Sequence, residues 1–415
     1  MSCNDEQSAT PSDTDTFVKF FGASNTDISQ MSQSTPDGGS IILGTTEIEI
    51  EGVESTKIKV IKVDRNGNEI WQKIYPPFKA DKIHLETSYT GRAIVVVDDG
   101  YIIVGDSIKS DADINTSSLL VMKLNDNPTE DTPTILAIDH INNLQVSTDM
   151  GLQGIDITMD TDGNYRVIGN VINDDEEIVG SWLGTINDNG TTLSFDKTID
   201  CYYDIEGEVE LVKSLYETTS GDFIFGGTDK SQSKDNTKLF RTPACQNGFS
   251  GGGTSLVDNP QDDYITGQII PSKGGYAMVG TKTSIAGSNI FFSLFESDGV
   301  PKPNSLVDYM DDNKQFPGIG DADEFGQTIA KTSDGGYIIG GYTLSETAGE
   351  EDMLLIKTDA FGGIQWTKVI GNIDQEEVIH IRQAEDGGYY VLGNSEFGGV
   401  DTMVLIKTDK NGNVD

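Results

Sequence analysis

A phrase of roughly 58 residues recurs seven times in this chain and breaks off at its C-terminus. The clearest copies read DGGYIIGGY, then DMLLIKTDAFGGIQWTKVIG, then DGGYYVLG and TMVLIKTDKNGNVD. The last copy stops at Asp415, where the aromatic W-x-K phrase of the copy before it would begin. That phrase stands at the other end, as Phe17-Val18-Lys19-Phe20-Phe21-Gly22, and matches Trp366-Thr367-Lys368-Val369-Ile370-Gly371. Repeats of this size take their core from their neighbours, so an unfinished last unit would leave a bare strand edge and uncovered apolar faces. A last unit completed by the first residues of the chain describes a closed ring.

Each unit has one grammar. Aligned on the glycine that ends the second strand, the copies fall at Gly44, Gly105, Gly169, Gly226, Gly280, Gly340 and Gly393. An alternating strand leads to a tight turn (PDGGS, DDGY, TDGNY, SGDF, KGGY, DGGY, DGGY) and then to a short apolar strand. After a variable loop comes a third strand, and a second Asp/Asn-Gly turn leads to an aromatic fourth, as in DRNGNEIWQKIY. Glycine supplies the positive φ such turns need, and Asp or Asn beside it bonds its own backbone. Helical repeats are excluded, because no unit carries apolar residues at i, i+3, i+4, i+7 over a useful span. Four short antiparallel strands per unit is the arithmetic of a propeller blade. The expected fold is all-β, a seven-bladed β-propeller of four-stranded blades over residues 17–415, closed by residues 17–22. Residues 1–16 read as a polar tether.

The chain carries 68 acidic and 28 basic residues, a formal charge of −40. Such a polyanion repels nucleic acid and anionic lipid, so nucleic acid is not an expected partner. A solvated surface accounts for the charge equally well as attraction to cations or a basic partner.

The repeats resemble those of bacterial secreted and surface β-propeller proteins with DGGY…IKTD..G…W units, over nearly the whole of residues 17–415. Units 1, 6 and 7 match clearly. Unit 4, KLFRTPACQNGFSGGG, lacks the acidic-Gly turn and puts its outer hairpin in question. Cys3, followed by CNDEQSATPSDTDT, resembles the lipidated cysteine and tether of Bacteroidota surface lipoproteins. The resemblance implies a lipid-anchored, outer-membrane, cell-surface protein, with membrane contact through the anchor alone. Met1 and Ser2 would then be an expression remnant or the end of a removed signal. An accidental early cysteine in a cytosolic protein is the competing reading.

Blade topology adds a working face. The 1–2 and 3–4 turns lie on one side of the disc and are short. The 2–3 loops and the blade connections lie on the other side and differ in every unit. Long variable loops on a rigid scaffold are where binding concentrates. The candidate anchors there are Phe78, Tyr202, Tyr203, Phe316 and Phe325, flanked by Asp321 and Asp323. Burial under their own loops is the alternative.

No G-x-S-x-G, H-E-x-x-H or C-x-x-C is present, and His84, His140 and His380 have no ligand spacing. His380 alternates with Ile379 and Ile381 and is expected to face the channel or a blade interface. Trp71 and Trp366 share a fourth-strand position with Phe17 and Phe195, and so read as packing residues. Asp160, Asp162 and Asn164, like Asp64-Arg65-Asn66-Gly67-Asn68, resemble the opening of a calcium loop but lack its twelfth-position glutamate. Hairpin-turn chemistry explains them as well, and no other cofactor is implied. A Cys201–Cys245 disulfide is disfavoured, since the register places the two at opposite ends of a blade. The expected function is therefore a non-catalytic binding or scaffold subunit docking on an outer-membrane β-barrel complex. A carbohydrate-binding or glycan-processing propeller is the alternative, and an adhesin the third reading.

Overall fold

The computed structural model describes residues 16–414 except 23–24, 51, 77–86, 112–113, 127–133, 139–149, 174–176, 189–192, 196–200, 205–208, 219, 231–233, 243–253, 258–261, 286, 298–299, 301, 303–306, 309–322, 345–349, 372–373 and 397. The strands form seven antiparallel sheets that follow one another in the chain, each packed on the next and the last on the first. This is the expected seven-bladed propeller.

Blade 6 shows how the sequence builds one unit. Its strands are Glu324–Lys331, Tyr337–Thr343, Asp352–Thr358 and Ile364–Ile370, numbered from the axis outward. The two middle strands carry apolar runs because neighbouring blades cover both of their faces, and Asp352–Thr358 is buried at every position. In the first turn the Asp334 carboxylate accepts from the Gly336 amide at 3.0 Å and from the Thr332 hydroxyl at 2.5 Å. The same carboxylate meets Lys357 of the third strand at 2.9 Å. Asp37–Lys62, Asp99–Lys123 and Asp386–Lys407 repeat that pair at 3.0, 2.9 and 2.7 Å. The aspartate of DGG and the lysine of IKTD therefore recur together because they close one ion pair under the turn.

A separate hydrophobic cluster fills each of the seven blade interfaces. The aligned glycines mark a close approach. A Cβ on Gly105 or Gly169 would lie 1.8 Å from the carbonyl oxygen of Thr90 or Gln153, on the facing inner strand.

Phe17–Phe21 pairs with blade 7 from Phe17↔Lys407 to Phe21↔Met403 and forms its fourth strand. The equivalence to Ile364–Ile370 extends to side chains. Trp366 covers Gly412 of the next blade's outer turn, and Phe17 covers Gly67 of blade 1 in the same way. Lys19 continues the contact by donating to Asn68 Oδ1 at 3.2 Å. Phe21 is buried among Ile42, Ile61, Leu392, Met403 and Leu405, which belong to blades 1 and 7. Trp71 and Trp366 pack edge-on against Tyr101 and Tyr389, as packing residues should.

Two blades depart from the pattern. In blade 4 the questioned outer hairpin forms, with Asn236–Thr242 pairing Thr254–Val257. The irregular part is the inner strand, split into Val209–Leu211 and Tyr216–Glu217 against Phe223–Asp229. In blade 3 the outer strand is split into Leu193–Phe195 and Cys201–Asp204, both pairing Ile178–Asp188. Cys201 is thus in an outer strand, opposite Leu183. Cys245 lies outside the described residues.

Candidate ligand site in the axial channel

The inner strands carry a β-bulge at one common level. Register shifts fall at Ser29/Met31, Gly91/Ala93, Gly154/Asp156, Thr266/Gln268, Gly326/Thr328 and Val378/His380. A bulge leaves one residue out of the ladder and re-aims it. Here the released residues are Gln30, Arg92, Ile155, Gly267, Gln327 and Ile379, and the break in blade 4 adds Lys213 at the same level. All seven line one cavity of about 560 Å³ on the axis. Such a volume suits a small ligand.

The upper wall lies toward the variable loops. Phe325 and Tyr342, paired across the inner hairpin of blade 6, stack with centroids 4.6 Å apart and planes 13° from parallel. Burial, with Glu351 and Glu377 nearby, pushes the Tyr342 hydroxyl up to about 12, so it stays protonated at neutral pH. Gln268 Oε1 accepts from the Thr328 hydroxyl and the Ile329 amide, both at 2.9 Å, which leaves its NH2 end for a ligand. Gln327 donates through Nε2 to Glu377 at 2.9 Å, which leaves its Oε1. Among the described residues lining the cavity there is no Asp or Glu.

The floor is cationic. Arg92 donates through Nε to the buried Asp106 at 2.6 Å. Lys213 donates from Nζ to the Gln30 carbonyl. Burial lowers this amine to about 8, against the pull of Asp156 and with a push from Arg92. Asp156 of blade 3 anchors the broken strand by accepting from the Ile157, Ser214 and Leu215 amides, each at 2.9 Å. Ser214 Oγ completes the repair, donating to the Val212 carbonyl at 2.8 Å and accepting from the Gly226 amide at 2.9 Å. His380 faces the cavity, with Nδ1 3.4 Å from the Ser32 hydroxyl. Burial, then Lys213 and Arg382, push it down to about 3, so it is neutral.

Among the described residues expected to bind a partner, Phe325 is the one brought to this cavity. Asp323 instead accepts from the Ser288 amide at 2.7 Å and supports the neighbouring blade's hairpin. Tyr202 and Tyr203 sit opposite Trp182 and Ser181 on the outer strand of blade 3, at the rim and away from the axis. Their expected place in a connecting loop of the variable face is therefore corrected: the segment pairs as a strand. Cys3, Phe78, Phe316 and Asp321 lie outside the described residues.

In the calcium-like segment, Asp160 accepts from the amides of Asp162 and Asn164 at 3.0 and 2.8 Å and from Arg166 Nε at 2.8 Å. Its carboxylate is engaged by its own turn. Among the described residues no group of three or more His, Cys, Asp or Glu could hold a metal.

The channel ring was not singled out from the sequence, although it leaves a signal there. Each ring residue stands 13 or 14 positions before the aligned glycine. Polar Gln30, Arg92, Lys213 and Gln327 in that column interrupt strands that are otherwise being read for apolar alternation.

No family model and no curated protein matches this chain. Solved structures do. A phage phi92 endosialidase aligns with 95% of this chain and 69% of its own, at 11% identity and a TM-score of 0.48. A Trypanosoma rangeli sialidase aligns with 92% of this chain and 55% of its own, at 9% identity and a TM-score of 0.44. An α-L-arabinofuranosidase from Clostridium thermocellum aligns with 69% of this chain and 94% of its own, at 14% identity and a TM-score of 0.36. The chain spans about half the length of the Trypanosoma rangeli protein. The expectation that the chain is not an enzyme does not stand, because missing sequence motifs give no ground for setting catalysis aside.

Proposed function

We propose that this protein is a carbohydrate-binding or glycan-processing propeller whose site is the axial cavity. The observation that carries this reading is the Phe325–Tyr342 stack set among amides and hydroxyls. A sugar ring has apolar C–H faces and a rim of hydroxyl groups. Aromatic planes serve the faces, while Gln268, Gln327, Thr266 and Thr281 offer donors and acceptors to the rim.

Binding of soluble oligosaccharides measured by calorimetry tests it. Phe325→Ala should weaken binding by about tenfold, the loss expected for one aromatic contact. Tyr202→Ala plus Tyr203→Ala at the rim should leave it unchanged. Glycan binding that follows the rim pair and ignores Phe325 would end the proposal.

Anchoring through Cys3 is proposed beside it, on a topological observation. Phe17 enters the ring next to Gly67, on the face of the short turns, while Phe325 and Tyr342 lie toward the variable loops. A tether at residues 1–16 would therefore attach on the face opposite the aromatic wall of the cavity and turn that wall away from the membrane. Mass spectrometry of the native N-terminus decides this, and an unmodified Cys3 inside a longer chain ends it.

A further inference from the structure

Lys213 lacks the counter-charge that most of the buried and half-buried lysines described in this propeller have. Lys59, Lys62, Lys123, Lys238, Lys357 and Lys407 each meet a carboxylate at 2.7 to 2.9 Å. Lys57 meets none, but it is enclosed, and it donates to the Ser55 hydroxyl at 2.8 Å and the Thr87 carbonyl at 2.6 Å. Lys213 differs from both kinds. It lines an open cavity, its one partner is the Gln30 carbonyl, and among the described residues no carboxylate stands within ion-pair distance. Asp156 is the nearby acid, and its two oxygens already accept three backbone amides.

The second cation of the cavity has a counter-charge on one edge and leaves the other free. Arg92 turns its Nε edge to Asp106, and its side chain remains 31% exposed toward the channel. The terminal nitrogens of a guanidinium can hold a carboxylate in two-point fashion. Two inward cations, from blades 2 and 4, thus meet in one cavity of a chain with a charge of −40. Burying an uncompensated charge is costly, and a fold keeps one where a ligand completes it.

We propose that the ligand of the axial cavity carries a carboxylate that pairs with Lys213 and Arg92, which makes it an acidic sugar of the uronate class. The inference rests on the carbohydrate reading of the cavity. The carboxylate would sit at the bulge level, beneath a sugar ring stacked on Phe325.

Calorimetric titration with three probes separates the two ideas. The probes are an oligogalacturonate, its methyl ester and glutarate, added to the full chain and to Lys213→Met. The acid should bind the native protein about tenfold more tightly than the ester, as a charged hydrogen bond requires. Lys213→Met should abolish that preference and melt no lower than the native protein. Equal binding of acid and ester, or a preference that survives Lys213→Met, would overturn the carboxylate assignment and leave the carbohydrate reading standing. Binding of glutarate without either sugar would do the reverse, provided Lys213→Met removes it. A sharply lower melting temperature for Lys213→Met would make Lys213 a structural residue and sink the assignment. Silence from all three probes would overturn both.

Discussion

Blades 7 and 4 are each interrupted, one at the rim and one at the axis, and they are repaired by different forces. Blade 7 lacks an outer strand of its own, and the start of the chain supplies it. The repair is a backbone ladder from Phe17 to Phe21 with apolar cover from Phe17 and Phe21. Blade 4 has an inner strand that leaves the ladder between Leu211 and Tyr216. No spare strand can reach the crowded axis, so its freed amides are taken up by Asp156 of blade 3 and by Ser214. The rim repair restores the repeat and adds no chemistry. The axial repair abandons the repeat and places Lys213 in the cavity. Regular packing holds this molecule together, and its irregular inner edge makes a site.

The largest expected effect breaks the rim side of that comparison. Removing residues 1–21 exposes the Asp401–Thr408 edge and the apolar faces of Leu392, Met403 and Leu405. One buried and one half-buried aromatic and five ladder positions contribute roughly 5–10 kcal/mol, about the whole margin of an ordinary fold. The truncated chain should aggregate or lose cooperative melting by calorimetry. A single transition within a few degrees of the intact chain would show that the ring does not need its closing strand.

Next comes the axial repair. Asp156→Ala removes the acceptor for three buried amides and should cost about 3–5 kcal/mol in urea unfolding. Cavity affinity should fall with it, because Lys213 rides on the segment Asp156 holds. If the cost stays near 1 kcal/mol and ligand binding survives, Val212–Leu215 is held by something other than that carboxylate.

The smallest test sharpens the rim contact with an internal control. Gly67 and Gly163 both have positive φ, +72° and +86°, so alanine at either carries a backbone penalty of about 1 kcal/mol. At Gly163 nothing lies within 4 Å of the new Cβ, whereas at Gly67 it meets Phe17 at 2.4 Å. Gly67→Ala should therefore cost about 1–2 kcal/mol more than Gly163→Ala. Equal losses would mean that Phe17 moves aside freely and the closing aromatic is not tightly seated.

The turns, the strand order and the closing segment were legible because each is written locally and repeated. DGG with a following Tyr-apolar-apolar specifies one hairpin wherever it occurs. Seven copies also make Phe17–Gly22 recognisable as the missing phrase. The site was less legible. Phe325 was found as an aromatic on the variable face. Tyr202 and Tyr203 read as loop residues because nothing local distinguishes a connection from a broken outer strand. Asp323 reads as a flank to those aromatics, yet the amide of Ser288, 35 residues away, donates to its carboxylate. Arg92 and Lys213 passed unnoticed, because a lone basic residue in a strand usually points to solvent.

The sequence by itself determined what is periodic: the blade, the number of blades, the turn chemistry with its Asp–Lys pairs in waiting, and closure by the first strand. These follow from short-range patterns that recur. Tertiary structure alone decided what lies on the axis, where one residue from each of seven strands meets the others across some 350 positions of chain, from Gln30 to Ile379. A bulge turns each of them inward, and only the closed ring brings two cations, two amides and a stacked aromatic pair around one cavity.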